Sequence, residues 1–170
     1  SKQRMIVFFI VFGVLLLLFA GVLLRGAPYL PTLKAQGETA LDLLKLRPGQ
    51  TLLELGSGDG AVLKLAAERG IHAIGIELNP LLVVISRFRL RKYGDLVEVR
   101  WGDFWSTPWP KADGVFVFLL DKYMVRLDEH MQPYGGKLAS IAFTIPGKEP
   151  VSKQNGVVLY SYPSASSGKQ

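Results

Sequence analysis

The sequence predicts a three-layer α/β domain with a mostly parallel sheet of six or seven strands, carried behind one N-terminal transmembrane helix. Three observations predict it. The run Thr51-Leu52-Leu53-Glu54-Leu55 leads into a turn with glycine at every second position, Gly56, Gly58 and Gly60, and a helical pattern follows. Short apolar runs then alternate with helical stretches along the chain, which is the pattern of βα units. Ahead of them, Met5 to Leu24 is 20 residues without a charge.

At about 1.5 Å per residue, a helix of that length crosses a hydrocarbon core of roughly 30 Å. A cleaved signal peptide is the alternative, but its apolar region runs to about 7–15 residues before a small-residue cleavage site. The reading carried forward is an uncleaved anchor over residues 1–25. The flanking cations do not orient it, since Lys2 and Arg4 precede the span and Arg25 and Lys34 follow it. Pro28 and Pro31 stiffen the short link that follows. That link keeps the domain close to the bilayer.

The remaining length suffices for one domain. With no cysteine, disulfides and thiolate metal sites are excluded. The two histidines, His72 and His130, stand far apart, so neither a histidine-based metal site nor a triad is expected. The net charge of +6 falls to +3 when Lys2, Arg4 and Arg25 are set aside. That excess suits an anionic membrane surface and does not by itself argue for nucleic acid.

The glycines of the turn let the backbone bend sharply and let a ligand approach with no Cβ in the way. Their spacing, Gly56-x-Gly58-x-x-Ala61, also fits the dinucleotide fingerprint, so the glycines alone do not name the ligand. The acids do more. Glu54 closes the strand and Asp59 stands in the turn. A pyrophosphate favours the positive helix end without adjacent carboxylates. Two carboxylates favour a ligand with positive groups, such as the ammonium and sulfonium of S-adenosylmethionine.

The stretch Glu54-Leu55-Gly56-Ser57-Gly58-Asp59-Gly60 resembles the first motif of class I S-adenosylmethionine-dependent methyltransferases. Together with Pro28-Tyr29-Leu30-Pro31-Thr32, Glu77-Leu78-Asn79-Pro80, Gly102-Asp103-Phe104-Trp105 and the apolar N-terminus, it resembles a narrower family. These are the small membrane-anchored lysine methyltransferases of mitochondria that modify the adenine nucleotide translocase and the ATP synthase c subunit, with their prokaryotic relatives. The resemblance implies a Rossmann-like sheet with its last strand antiparallel. It implies a cofactor site made of Tyr29, Thr32, Glu54, Gly56, Ser57, Gly58, Asp59, Gly60, Glu77, Leu78, Asn79, Gly102, Asp103 and Phe104. It also implies methylation of a lysine in a membrane protein. In this division residues 26–47 are a linker and a helix that covers the cofactor, 48–162 the methyltransferase domain and 163–170 a disordered tail.

Leu33, Ala40, Leu41 and Leu44 recur at helical spacing, which predicts a helix over 33–46, broken by Pro48-Gly49. Residues 59–69 are the first helix of the layer, closed by Gly70, and 72–76 the second strand. Glu77 ends that strand 17 residues after Gly60, where an acid can accept from a ribose diol. Asn79 caps the next helix with Pro80 at its first position, and that helix runs to about residue 93. Arg87, Arg89, Arg91 and Lys92 gather near its end. They either complement the helix dipole or meet anionic headgroups.

Residues 96–101 form the third strand. By the resemblance, Asp103 accepts from the adenine amino group and Phe104 packs on the ring. Trp105 and Trp109 either pack where the layer lacks a helix or face a membrane interface. Residues 114–120 are the fourth, central strand, and it ends at Asp121-Lys122-Tyr123. The acceptor is expected there, outside the carboxyl end of the strand. Many amine methyltransferases carry prolines after the acid at this point; no proline follows Asp121, which speaks against small-base or glutamine methylation. Asp121 would orient an ammonium or take its proton and Tyr123 would wall the acceptor channel, unless Asp121 is only a helix cap. A helix over 124–132, a strand over 137–144, a polar loop over 146–156 and a last, antiparallel strand over 157–162 complete the expectation. A lipid or quinone methyltransferase and a non-catalytic cofactor-binding scaffold share the same cofactor residues. The catalytic domain is expected on the cytoplasmic (or matrix-equivalent) side, because S-adenosylmethionine is made inside cells.

Overall fold

The computed structural model describes residues 2–24 and 32–163, with the backbone alone at residues 16, 18–24, 32 and 33. Tyr29, the link around it and the tail over 164–170 lie outside the described residues. The apolar N-terminus is a helix, α1 (Lys2–Leu24). Its side chains are described at residues 2–15 and 17. Among the described residues, which in this helix include side chains only at 2–15 and 17, no helix is long and apolar enough to cross a membrane.

The domain follows as α2 (Thr32–Leu44), β1 (Thr51–Leu55), α3 (Ala61–Glu68), β2 (His72–Glu77), α4 (Pro80–Leu90), β3 (Val97–Trp101), β4 (Gly114–Val117), α5 (Met124–Tyr134), β5 (Gly136–Ile141), β6 (Ser152–Gln154) and β7 (Val157–Tyr162). The strands form a seven-stranded sheet in the order β3-β2-β1-β4-β5-β7-β6. The first five are parallel, and β7 pairs antiparallel with both β5 and β6. Central strands buried on both faces read as apolar runs, and β1 and β4 do so. The antiparallel end and the mostly parallel centre are as the sequence predicts.

Helices cover the two faces unequally. On one face Leu41 and Leu44 of α2, Leu63 and Ala66 of α3, and Val83 and Leu90 of α4 pack with Leu52, Ala73 and Phe116 of the sheet. On the other, Met124, Leu127 and Met131 of α5 meet Leu53, Leu55, Val115, Leu138 and Tyr160. Between β3 and β4 the chain makes no helix, and aromatic side chains fill the place. Trp109 donates to the Phe104 carbonyl at 2.7 Å, stacks on His130 at 5.7 Å and meets Tyr134 edge-on at 5.4 Å. Trp105 also meets the His130 ring, at 5.2 Å. Of the two readings of these tryptophans, packing is the one found.

Several boundaries differ from the sequence reading. The fourth strand stops at Val117 rather than residue 120, because its neighbour β1 turns away at Gly56 after the Leu55–Val117 pair and offers no further ladder. The fifth strand stops at Ile141 rather than residue 144; Ala142 takes a left-handed φ of 69° and donates instead to the Gly156 carbonyl. The region read as a polar loop contains β6. Asn155 and Gly156, with φ of 49° and 75°, turn it directly into β7. An Asn-Gly pair with positive φ at both positions is the favoured two-residue hairpin turn. The helix α5 runs past Gln132, with Pro133 inside its last turn, and Gly135 ends it.

Strand β2 passes directly under the glycine turn. A Cβ on Gly75 would stand 2.6 Å from the Ser57 Cβ and 2.7 Å from a Leu63 methyl. Gly75→Ala is therefore expected to destabilise the fold by about 1–3 kcal/mol through overpacking. A lowered Tm in scanning calorimetry would show it, and an unchanged Tm would contradict so tight a crossing.

Candidate functional site

The carboxyl ends of β1, β2, β3 and β4 lie side by side, so the segments that leave them converge on one rim. The glycine turn is the floor of this rim. Gly56 and Ser57 donate their N–H groups to the Ile76 carbonyl at 2.9 and 3.2 Å, and Gly60 closes back on the Ser57 carbonyl at 2.9 Å. Gly56, Gly58 and Gly60 have φ of 79°, 55° and 82°. Glycine reaches such values without strain. The turn also leaves space: among the described residues a Cβ on Gly58 would meet nothing within 4 Å, and one on Gly56 would meet only the Phe104 ring, at 3.9 Å.

Three carboxylates surround the turn and meet different partners. Glu77, buried at the end of β2, accepts from Gly58 N–H at 2.7 Å and from Asn79 N–H at 2.8 Å. It clamps the turn to the strand and still has lone pairs for hydroxyl groups. Asp59 is paired with Arg89 of α4, and its other oxygen accepts from Ala61 N–H at 3.3 Å. It belongs to the start of α3 and to the α4 contact. Glu54 is buried, and its Oε2 has no partner among the described residues. Burial first, then the charges of Glu77 and Asp59, push its carboxyl well above the usual carboxylate range; a hydrogen bond from the Leu63 backbone offsets part of this. The Ser57 hydroxyl is likewise buried without a partner among the described residues.

The other predicted residues fall around this floor. Asn79 is the cap the sequence implies, its Oδ1 accepting from Leu81 and Leu82 N–H at 2.9 and 3.4 Å. Leu78 exposes its side chain. Gly102 donates to the Glu77 carbonyl at 3.0 Å, which brings the β3 loop against the β2 end. Asp103 accepts from Trp105 N–H at 2.9 Å through one oxygen. The Phe104 ring stands over the glycine turn and 4.7 Å from Trp105. Trp105 continues to Tyr123 at 6.1 Å, so an aromatic wall runs from the turn to the end of β4. Thr32 begins α2, and nothing beyond its backbone is described.

Asp121 lies exposed in a single 3-10 turn, Asp121–Tyr123. It caps neither that turn nor α5: the residues before them, Leu120 and Tyr123, stand at the cap positions and no side chain bonds there. The alternative of a helix cap is thus absent. Two members of this rim do not follow from the sequence. Arg89 reads there as one of the cations of the helix end, yet it reaches back across 30 residues to the turn. Trp105 reads there as packing or interface, yet it links Phe104 to Tyr123. A separate cleft of about 470 Å³ lies between the 105–109 segment and the end of α5. None of the carboxylates of the turn lines it.

The family described as ANTKMT methyltransferase domain matches residues 54–165. A lysine N-methyltransferase of the ATP synthase c subunit from Xenopus laevis is 35% identical over 107 residues, covering 62% of this chain and 47% of that protein. Adenine nucleotide translocase lysine N-methyltransferase of Mus musculus is 34% identical over 131 residues, covering 74% of this chain and 57% of that protein. The chain thus spans about half the length of the curated relatives it matches. Among solved structures, an RNA methyltransferase from Salinibacter ruber in complex with S-adenosyl-L-homocysteine is similar with a TM-score of 0.67 and 28% identity, over 80% of this chain and 92% of that one. A geranyl diphosphate methyltransferase in complex with sinefungin follows with a TM-score of 0.55 and 26% identity, over 62% and 43%.

The burial of Glu54 has a pH signature. Between the ordinary carboxylate pKa and its raised value the unfolded chain ionises this group and the folded chain does not. Its contribution to stability is therefore present at low pH and is lost as pH rises through that window. Glu54→Gln is expected to flatten this fall in denaturant unfolding of the ligand-free protein across a pH series. Parallel pH curves for the two proteins would contradict it.

Proposed function

The chain belongs to the ANTKMT methyltransferase domain family, and from that premise we propose that it transfers the methyl group of S-adenosylmethionine to the amino group of a lysine in a membrane or membrane-proximal protein. The observation that carries the cofactor reading is the buried oxygen of Glu54, unpartnered among the described residues, beneath a glycine turn that no described side chain fills. A cationic ligand head answers it, and the space over Gly56 and Gly58 accepts the rest of such a molecule. The residues present fit the group. When bound, S-adenosylmethionine supplies an electrophilic methyl carbon.

The chain's own residues then divide the work. Glu54 holds an ammonium, and Glu77 holds a ribose diol through the lone pairs its backbone bonds leave. Asp103 and Phe104 take the adenine edge and face. Tyr29 and Thr32 are assigned to the cofactor by the resemblance alone, since their side chains lie outside the described residues. Phe104, Trp105 and Tyr123 give the acceptor side an apolar wall. Such surroundings lower a lysine pKa and favour its neutral, nucleophilic form. Asp121, exposed at the β4 end, takes the proton. Aligning the acceptor amine with the methyl carbon and stripping its water supply most of the acceleration, since no covalent intermediate is needed.

The lysine substrate is supported by the two named groups of relatives and by residues 5–24. On this reading that stretch spans the bilayer once, with the domain on the side where the cofactor is made. The reading is tested by incubating the protein with radiolabelled S-adenosylmethionine and host membranes, then separating protein, lipid and RNA. Label in a protein band, stable to base and lost when lysines are acetylated beforehand, is expected. Label in the lipid or RNA fraction instead would overturn the lysine assignment.

Two substitutions separate the roles. Glu77→Ala is expected to weaken S-adenosylmethionine binding by at least tenfold in calorimetry, because a buried acceptor is lost. Unchanged affinity would remove Glu77 from the site. Asp121→Asn is expected to leave that affinity intact and lower kcat by about 10²-fold, the lower end of general-base contributions. Unchanged kcat would remove Asp121 from proton transfer.

A further inference from the structure

α4 has two apolar faces, and among the described residues the domain covers only one. Val83, Ser86 and Leu90 are buried against the sheet. On the outward side Val84 and Phe88, one turn apart, are 63% and 65% exposed, and Ile85 stands beside them. A surface helix ordinarily places polar residues there. At the carboxyl ends of β2 and β3, Leu78 and Trp101 are further exposed apolar side chains. The Trp101 ring is 66% exposed while its indole N–H donates to the Leu78 carbonyl at 3.1 Å, so its apolar body is held outward.

Cations border the outward side of α4. The Arg91 guanidinium sits 4.0 Å over the Phe88 ring, and the Lys92 ammonium 4.9 Å over Tyr93. Arg87 donates to the Val99 carbonyl at 3.0 and 2.7 Å, a neutral acceptor, and its charge has no carboxylate partner among the described residues. Arg89 does not count, since Asp59 neutralises it. α4 carries no acid of its own, and Glu98 of the adjacent strand is paired with Arg100 at 2.7 Å. Aliphatic and aromatic side chains bordered by arginine and lysine are the pattern of a segment that lies in a lipid interface. An exposed tryptophan with one anchored polar end suits the same layer.

We propose that the outward face of α4, with Leu78 and Trp101 above it, rests on the headgroup layer of an anionic bilayer. The proposal takes its lipid source from the reading of residues 5–24 as a membrane span. Only residues 25–31 separate α1 from α2. Seven extended residues reach no further than about 25 Å, so the domain stays within contact of the surface. The face then gives the domain a fixed tilt, with the rim of the site turned toward substrates in the membrane.

The absence of cysteine makes the test direct. Single cysteines at Val84→Cys, Phe88→Cys and Val125→Cys carry a nitroxide in the full chain, reconstituted in phosphatidylcholine vesicles with and without phosphatidylserine. Val125 is an exposed residue of α5, on the other face of the sheet. Collision with a water-soluble nickel chelate is expected to fall several-fold at positions 84 and 88 when phosphatidylserine is present, and to stay constant at 125. Arg91→Gln with Lys92→Gln is expected to remove that difference. Labels at 84 and 88 as accessible as at 125 in both vesicles overturn the proposal. So does shielding that needs an added protein. A fourth label, at Gly13→Cys, reads the span separately. If position 13 is buried in lipid while 84 and 88 stay in water, this proposal fails and the span stands; the reverse leaves the face standing without the span.

Discussion

Glu54 is buried between Glu77 and Asp59, and one of its oxygens has no partner among the described residues. Desolvating a carboxylate costs several kcal/mol unless a counter-charge or donors replace the water. The two neighbouring acids have found replacements within the chain: Glu77 in two backbone N–H groups, Asp59 in Arg89. These bonds fix the glycine turn and the start of α3. They leave Glu54 as the one acid of the three with an oxygen unpartnered among the described residues. The turn's shape, the open space over its glycines and the raised pKa below it are thus parts of a single arrangement.

The rim divides by chemistry. Its β1–β2 half is carboxylate and backbone, suited to the charged head and ribose of an adenosyl ligand. Its β3–β4 half is aromatic, from Phe104 through Trp105 to Tyr123, suited to excluding water around an amine. α4 joins this rim to the outside of the domain. Its Arg89 holds the turn, while Val84 and Phe88 on the same helix face outward.

The parts of the fold that follow from local chemistry were legible in the sequence. The glycine turn, the Asn79 cap with Pro80 and the order of strands and helices came from patterns within a few residues, and the antiparallel last strand from the family resemblance. The strand lengths were not, because β4 ends where β1 leaves it, and no residue of β4 records that. The hairpin of β6 and β7 was legible in Asn155-Gly156 but was hidden by the polar side chains around it. In the site, residue types pointed to Glu54 and Glu77, and the resemblance added Asp103 and Phe104 to the same rim. The sequence could not separate the three acids by role, since that depends on Arg89 reaching Asp59 from another helix. The part Trp105 plays beside Tyr123 likewise depends on how the helix-free segment after β3 packs against α5.

The central claim is that Glu54 receives the cationic head of the ligand. Calorimetric titration with S-adenosylmethionine in buffers of different ionisation enthalpy measures the protons exchanged on binding. At a pH between the ordinary carboxylate range and the raised value of Glu54, a positive group arriving beside it favours ionisation. The protein is expected to release protons as the ligand binds, and Glu54→Gln, where binding persists, to release fewer. The same proton count for both proteins, with comparable affinity, would contradict it.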